Sequence, residues 1–245
     1  MKLLVVLITY NRLAYTKRTL RTLLATIEVP YYLVVVDNNS TDGTQDYLKS
    51  LLGRNKVDKI ILNDDNFYPG KACNIGWTEG LKDYPQATHL MRLDNDMHFE
   101  RGWDERAADY FRNIDRMGQL GLDFNGGENK PPQFYSGMWL VEWPGCVGGP
   151  NIIRRKIFDD GLRYDESRWE GSRTPVQEDS KFSKEIKNMG WLVGHMDEKY
   201  SWTFADESNW KDFPDYYLKT MYDRNYMDNV ELLERIKHEQ KNDLS

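Results

Sequence analysis

Four times in its first hundred residues the chain runs from a short apolar stretch into a polar cluster, and three of these clusters lead into helical spacing. Leu3 to Ile8 is an unbroken run of Leu, Val and Ile, the pattern of a strand covered on both faces. It stops at Thr9-Tyr10-Asn11-Arg12, after which Leu13, Leu20, Leu23, Leu24 and Ile27 recur at helical spacing up to Pro30. Tyr32 to Val36 predicts a second strand, closed by Asp37-Asn38-Asn39-Ser40-Thr41-Asp42-Gly43, with a helix marked by Tyr47, Leu48, Leu51 and Leu52. Lys59 to Leu62 predicts a third strand, and Lys71 to Leu81, after Pro69-Gly70, a helix interrupted by Gly76. Thr88 to Leu93 predicts a fourth strand, ending in Asp94-Asn95-Asp96. Strands separated by helices form a parallel sheet with right-handed crossovers, and ligands bind at the carboxyl ends of its strands. All four polar clusters fall at such ends.

The second half reads differently. Gly and Pro crowd Gly118 to Pro150 among Phe124, Phe134, Tyr135, Trp139 and Trp143, which predicts loops and short antiparallel strands. Val176 to Met189 reads as a helix and Trp191 to His195 as a strand. From Asp212 to Gln240 the chain reads as helical, with Val230, Leu233 and Ile236 on one face. The 245 residues are enough for one large domain. The longest apolar run falls far short of the roughly 20 residues of a membrane span. No signal peptide is expected, and two cysteines suit a reducing, cytoplasmic setting rather than a disulfide scaffold. A net charge of −6 gives no global attraction to nucleic acid.

The sharpest chemical feature is Asp94-Asn95-Asp96. In an extended segment residues i and i+2 point the same way, so both carboxylates can approach one hard cation such as Mg2+ or Mn2+. Asp37, ending the second strand, is placed to accept a hydrogen bond from a base or ribose, or to cap the following helix. Glu178-Asp179 opens a predicted helix, where a carboxylate serves either as a general base or as a favourable charge at a helix N-terminus. The Gly70-Lys71 pair lacks the phosphate-loop spacing, no G-x-G-x-x-G follows the first strand, and neither C-x-x-C nor H-E-x-x-H is present. Arg154, Arg155, Lys156, Arg163, Arg168 and Arg173 form either a local phosphate-binding patch or a solvated mixed face, since acidic residues interleave with them.

Taken together, these segments resemble the GT-A glycosyltransferases, in particular the family-2 type of nucleotide-sugar transferase. The pieces are Leu-Ile-Thr-Tyr-Asn-Arg at 7–12, Val-Val-Asp-Asn-Asn-Ser-Thr-Asp-Gly-Thr at 35–44, Gly-Lys-Ala-Cys-Asn-Ile-Gly at 70–76, Leu-Asp-Asn-Asp at 93–96 and Glu-Asp at 178–179. The resemblance implies an α/β fold: a single GT-A (Rossmann-like) domain with a mostly parallel central sheet, helices on both faces and a helical C-terminal extension. Residues 1–210 would form the transferase domain, with 1–100 binding the nucleotide-sugar and 101–210 the acceptor, and 211–245 the tail. It further implies that Thr9, Tyr10, Arg12, Asp37, Asn39 and Ser40 surround the nucleotide, commonly uridine. Lys71 and Asn74 would face the diphosphate or sugar. Asp94, with Asn95 beside it, would touch the ribose or sugar, and Asp96 would bind Mn2+ or Mg2+. Asp179, with Glu178 beside it, would be the catalytic base of an inverting transfer, and Gly148, Gly149 and Trp143 would border the acceptor.

One departure stands out. Related enzymes often supply a further metal ligand, usually His, within a window that here spans Trp202 to Glu207 and holds no histidine; Asp206, Glu207 or water would have to substitute. The acceptor is open among a glycan, a protein and a modified DNA base. A sugar-1-phosphate nucleotidyltransferase is a rival of similar fold, but its glycine-rich opening loop is missing. A non-catalytic carbohydrate-binding or nucleotide-binding protein would explain the tryptophans, but not the carboxylates at several strand ends.

Overall fold

The computed structural model describes residues 1–122, 132–142, 147–166, 178–205, 207–224 and 227–242. Its strands are β1 (Leu3–Thr9), β2 (Tyr31–Asp37), β3 (Lys59–Leu62), β4 (His89–Asp94), β5 (Met97–Phe99), β6 (Met117–Gly121), β7 (Gln133–Tyr135), β8 (Met138–Glu142), β9 (Asn151–Arg154), β10 (Leu192–Met196) and β11 (Ser201–Thr203). The helices are α1 (Leu13–Thr26), α2 (Thr44–Leu52), α3 (Tyr68–Asp83), α4 (Trp103–Asn113), α5 (Arg155–Asp159), α6 (Glu178–Asn188), α7 (Pro214–Arg224) and α8 (Met227–Asn242), with a short 3-10 segment over Glu207–Asp212.

Nine strands form one sheet in the order β3-β2-β1-β4-β9-β6-β10-β8-β7, and β5 pairs with β11 separately. The first four run parallel, and within the sheet only β8 and β9 run against the rest, so it is mostly parallel, as the alternating pattern predicts. Thr9 is level with Asp37, and Ile8 with Asp94, so the polar ends of β1, β2 and β4 share one edge.

Alternation along β1 explains why both faces are covered. Leu3, Val5 and Leu7 enter a core shared with Leu20 and Leu23 of α1 and Trp103 of α4. Leu4, Val6 and Ile8 enter the opposite core with Trp77 of α3 and Phe182 of α6. Successive side chains of a strand point to opposite faces, so an unbroken apolar run is what a doubly covered strand requires. Gly76 does not interrupt α3: a Cβ there would lie 2.5 Å from Val6, so its absence lets the helix sit down on the sheet. The helix also begins earlier than the Pro-Gly pair suggests, because Pro69 occupies its first turn, where a missing N–H costs nothing.

The basic residues around 154–163 are committed to local structure. Arg154 donates to the carbonyls of Phe111, Ile114 and Met117, closing the end of α4. Arg155 pairs with Asp159, Lys156 with Asp160, and Arg163 donates to the carbonyls of Phe158 and Leu162. That is the mixed-face alternative; Arg168 and Arg173 lie outside the described residues.

His89 opens β4 with its ring edge-on to Phe111 at 4.6 Å. Burial, reinforced by Arg154 and the N-terminal amine, lowers its pKa from 6.5 to about 3. The unfolded chain therefore binds a proton between these values that the folded chain refuses. Stability is full above pH 6.5 and is lost as pH falls toward 3, by roughly 4 kcal/mol from this group. Denaturant melts from pH 8 to 4 should show this slope, and His89→Phe should flatten it; an unchanged slope in the variant would assign the acid sensitivity elsewhere.

Candidate functional site

A cavity of about 480 Å³ opens at the carboxyl edge of the sheet, bounded by the loop after β1, the Asp94-Asn95-Asp96 turn after β4 and the first two turns of α7. Arg12 organises it. Its backbone is left-handed (φ 58°), which turns the chain sharply into α1 and sends the side chain inward, 7% exposed. The guanidinium donates to Asp96 Oδ2 at 2.9 Å, Asn95 Oδ1 at 2.6 Å and the Tyr217 hydroxyl at 3.1 Å, and lies 4.3 Å from the Tyr216 ring centre. Burial works against this charge, but Tyr216, Asp96 and Tyr217 more than offset it and leave the pKa above its ordinary value. Burial likewise pushes the Asp96 carboxyl upward, with Arg12 pulling it back.

The other sequence-nominated residues divide into those at the cavity and those behind it. Tyr10 lines the cavity, its ring 6.1 Å from that of Tyr216. Asp37 is fully buried: Thr9, the Ser40 hydroxyl, the Ser40 N–H and Gln45 all donate to it. Four donors match the acceptor capacity of a carboxylate, so Asp37, Thr9 and Ser40 brace the loop from behind. Asn38 instead lines the cavity. Asn39 is exposed and donates to the Asp64 carbonyl. Asn74 spends its amide on Tyr164 and Glu166, pinning that segment to α3. Lys71 rests over the Phe67 ring at 4.3 Å and makes no ion pair among the described residues. Asn95 faces inward, donating to the Asn11 carbonyl and Thr16.

Asp94 has a different environment. Its Oδ1 is buried and accepts no hydrogen bond, the nearest cationic nitrogen being Arg92 Nε at 3.6 Å. An anionic oxygen left this way at a cavity edge is costly unless a ligand completes it. Asp94 and Asp96 both line the cavity and both offer hard oxygen, the donor type that suits Mg2+ or Mn2+. No group of three or more His, Cys, Asp or Glu suited to a metal occurs among the described residues, so beyond Asp94 and Asp96 the ligands would come from substrate oxygens, water or residues outside those described. On this donor set a divalent cation fits. Asp206 and the Glu207 side chain, the sequence candidates for another ligand, lie outside the described residues, and His195 sits within β10.

Beside the cavity Arg92, 3% exposed and inside β4, gathers three carboxylates. Its guanidinium meets Asp179 Oδ1 at 2.5 Å, Glu178 Oε1 at 3.4 Å and Asp94 Oδ1 at 3.6 Å, and lies 4.9 Å from the Tyr164 ring centre. Burial opposes this charge, yet Asp179, Asp94, Tyr164 and Glu178 hold its pKa well above the ordinary value. Glu178 and Asp179 open α6, so the cluster brings the helix N-terminus to the end of β4. Gly148 and Gly149 close over it. A Cβ at 149 would fall 2.7 Å from Asp94 Oδ2, and one at 148 would lie 3.8 Å from Asp179 Oδ2. Only glycine at 149 leaves Asp94 its position. Trp143 lies outside the described residues.

Sequence reasoning therefore missed Arg92, Asn38, Tyr216 and Tyr217. A lone Arg inside an otherwise apolar strand was a readable signal for Arg92. Nothing local marks the two tyrosines.

Comparison with known proteins bears on this geometry. The model of the family described as Glycosyl transferase family 2 matches residues 4–162. Among solved structures, S. aureus TarS 1–349 in complex with UDP-GlcNAc is 18% identical, with a TM-score of 0.61 over 94% of this chain and 70% of that one. The mannosyltransferase PcManGT from Pyrobaculum calidifontis, in complex with GDP-Man and Mn2+, is 13% identical, with a TM-score of 0.61 over 91% of this chain and 62% of that one. GalNAc-T7 with UDP, GalNAc and Mn2+ is 17% identical, with a TM-score of 0.59 over 80% of this chain and 42% of that one. A longer S. aureus TarS structure is matched over 42% of its length. No curated protein matches the chain. No helix among the described residues is long and apolar enough to cross a membrane.

Proposed function

The chain belongs to glycosyl transferase family 2, and on that footing we propose that it moves a sugar from a nucleotide-sugar, a UDP-sugar in the first instance, to an acceptor hydroxyl with inversion. The observation that carries the reading is the convergence on Arg92 of Asp94, at the cavity edge, and Asp179, at the N-terminus of α6. This supports a reading in which Asp94 would ligate the metal and Asp179 would act as the base beside it, with Gly148 and Gly149 over both. The solved structures with UDP, UDP-GlcNAc and GDP-Man support a nucleotide-sugar donor, and two of them contain Mn2+.

In this mechanism the nucleotide lies in the cavity against Tyr10 and Asn38, with the Asp37 network fixing the loop behind it. Asp94 and Asp96 would hold the divalent cation, which supplies positive charge against the negative charge developing on the leaving diphosphate. Lys71, without an ion pair of its own among the described residues, would supply a positive charge to the sugar-diphosphate. Asp179 takes the acceptor hydroxyl proton as the oxygen attacks the anomeric carbon from the face opposite the leaving group. Arg92 fixes the orientation of that carboxylate, and the missing side chains at Gly148 and Gly149 leave the acceptor its approach. The acceptor class remains a glycan, a protein or a nucleic-acid base; the commitment of Arg154, Arg155, Lys156 and Arg163 to local partners removes one argument for the last.

UDP release from a panel of UDP-sugars, with and without Mn2+, tests this in wild type and Asp96→Ala. The expected result is metal-dependent cleavage of one donor, lost in the variant. Failure of the protein to bind any UDP-sugar or GDP-sugar would sink the reading.

A further inference from the structure

Within the proposed transferase site, one contact has the wrong partner for a simple metal centre: the partly buried Asp96 carboxylate is already neutralised by Arg12 at 2.9 Å. We propose that Arg12 occupies Asp96 as a resident cation, so that the site refuses a bare divalent ion and accepts one only together with a nucleoside diphosphate.

The argument rests on what displacing Arg12 would leave behind. Its guanidinium is held by Asp96, Asn95 and the Tyr217 hydroxyl against the Tyr216 ring, with 8% side-chain exposure. A buried guanidinium stripped of its anion is strongly unfavourable. A dication arriving alone at Asp94 and Asp96 would do this and would place its own charge beside the arginine. Among the described residues it would also gain only the two carboxylates. A diphosphate changes both terms. Its oxygens complete the coordination of the cation, and its negative charge gives Arg12 a replacement partner in the same cavity, which Arg12 already lines. Guanidinium and phosphate form strong, often bidentate pairs. The site would therefore fill by entry of the metal–diphosphate pair, and Arg12 would be the residue that imposes the order. Asp94, with an unsatisfied oxygen, would still give a bare ion a weak single-carboxylate foothold.

The test reads Mn2+ binding directly, by electron paramagnetic resonance of free Mn2+, without donor turnover. In the absence of nucleotide, Arg12→Met should bind Mn2+ at least tenfold more tightly than wild type, because its Asp96 is released. Asp96→Asn, with nucleotide absent, should differ from wild type by less than twofold, since Arg12 already withholds that carboxylate; in the presence of UDP the same variant should lose the protein-bound Mn2+ that wild type gains. Equal or weaker nucleotide-free binding in a folded Arg12→Met, or a tenfold loss in nucleotide-free Asp96→Asn, would overturn the gate. Should Arg12→Met fail to fold, the Asp96→Asn comparison decides alone. Absence of protein-bound Mn2+ in every protein even with UDP would overturn the metal site itself, a separate failure that removes the gate with it.

Discussion

Asp94→Asn is expected to lower sugar transfer by about 100- to 1,000-fold, the range seen when one preorganised electrostatic contact to a developing charge is removed. The change is isosteric, so Gly149 still fits above it and the fold has no steric reason to move. Arg92 keeps its two closer partners, Asp179 and Glu178. What disappears is the negative charge on a buried oxygen that accepts no hydrogen bond and whose ion pair with Arg92, at 3.6 Å, is the longest of the three in the cluster. Melting temperature should therefore stay near that of wild type, while the rate of UDP release collapses. Activity within tenfold of wild type, at saturating donor and metal, would remove Asp94 from the machinery.

Arg92→Met carries the largest expected cost in stability, about 3 to 5 kcal/mol, the range for breaking a buried ion pair by removing one partner. Three carboxylates would be left around an uncharged thioether, two of them at the first turn of α6. The cost should appear as a shift in urea midpoint with little change in slope. Adding Glu178→Gln should recover part of it, because it removes one of the stranded charges, and the pair should be clearly non-additive. If Arg92→Met melts within about 1 kcal/mol of wild type, the cluster is far more hydrated than its burial implies.

Much of this fold can be read residue by residue. Leu3 to Ile8 and Tyr32 to Val36 are continuous because each strand is covered on both faces, and a doubly covered strand leaves an unambiguous mark. The pairing of Thr9 with Asp37 and of Ile8 with Asp94 then follows from parallel register, which brings the polar ends to one edge. Local rules mislead at Pro69 and Gly76. Both look like helix breakers, yet one sits where its missing donor is harmless and the other where the sheet approaches too closely for a side chain. Of the proposed site, the sequence shows the residue types more plainly than their surroundings. Asp94, Asp96 and Asp179 announce themselves as carboxylates at element ends. Asp37, at the end of β2, does so too but is saturated by neighbours, as is the Asn74 amide within α3, because the sequence shows that a polar group is present and not which partners it meets. Arg92 lies within a strand pattern that directs attention to its apolar neighbours.

The contact between Arg12 and Tyr217 joins positions 205 residues apart. A nascent chain can assemble β1 to β4 from its first hundred residues while the rest is still being made, since those pairings are comparatively local. The candidate cavity cannot close until α7 has been synthesised and docked. On the proposed function, the ability to hold a donor would thus be acquired only once α7 has followed the sheet, and a chain cut before α7 would keep much of the parallel sheet without a finished pocket.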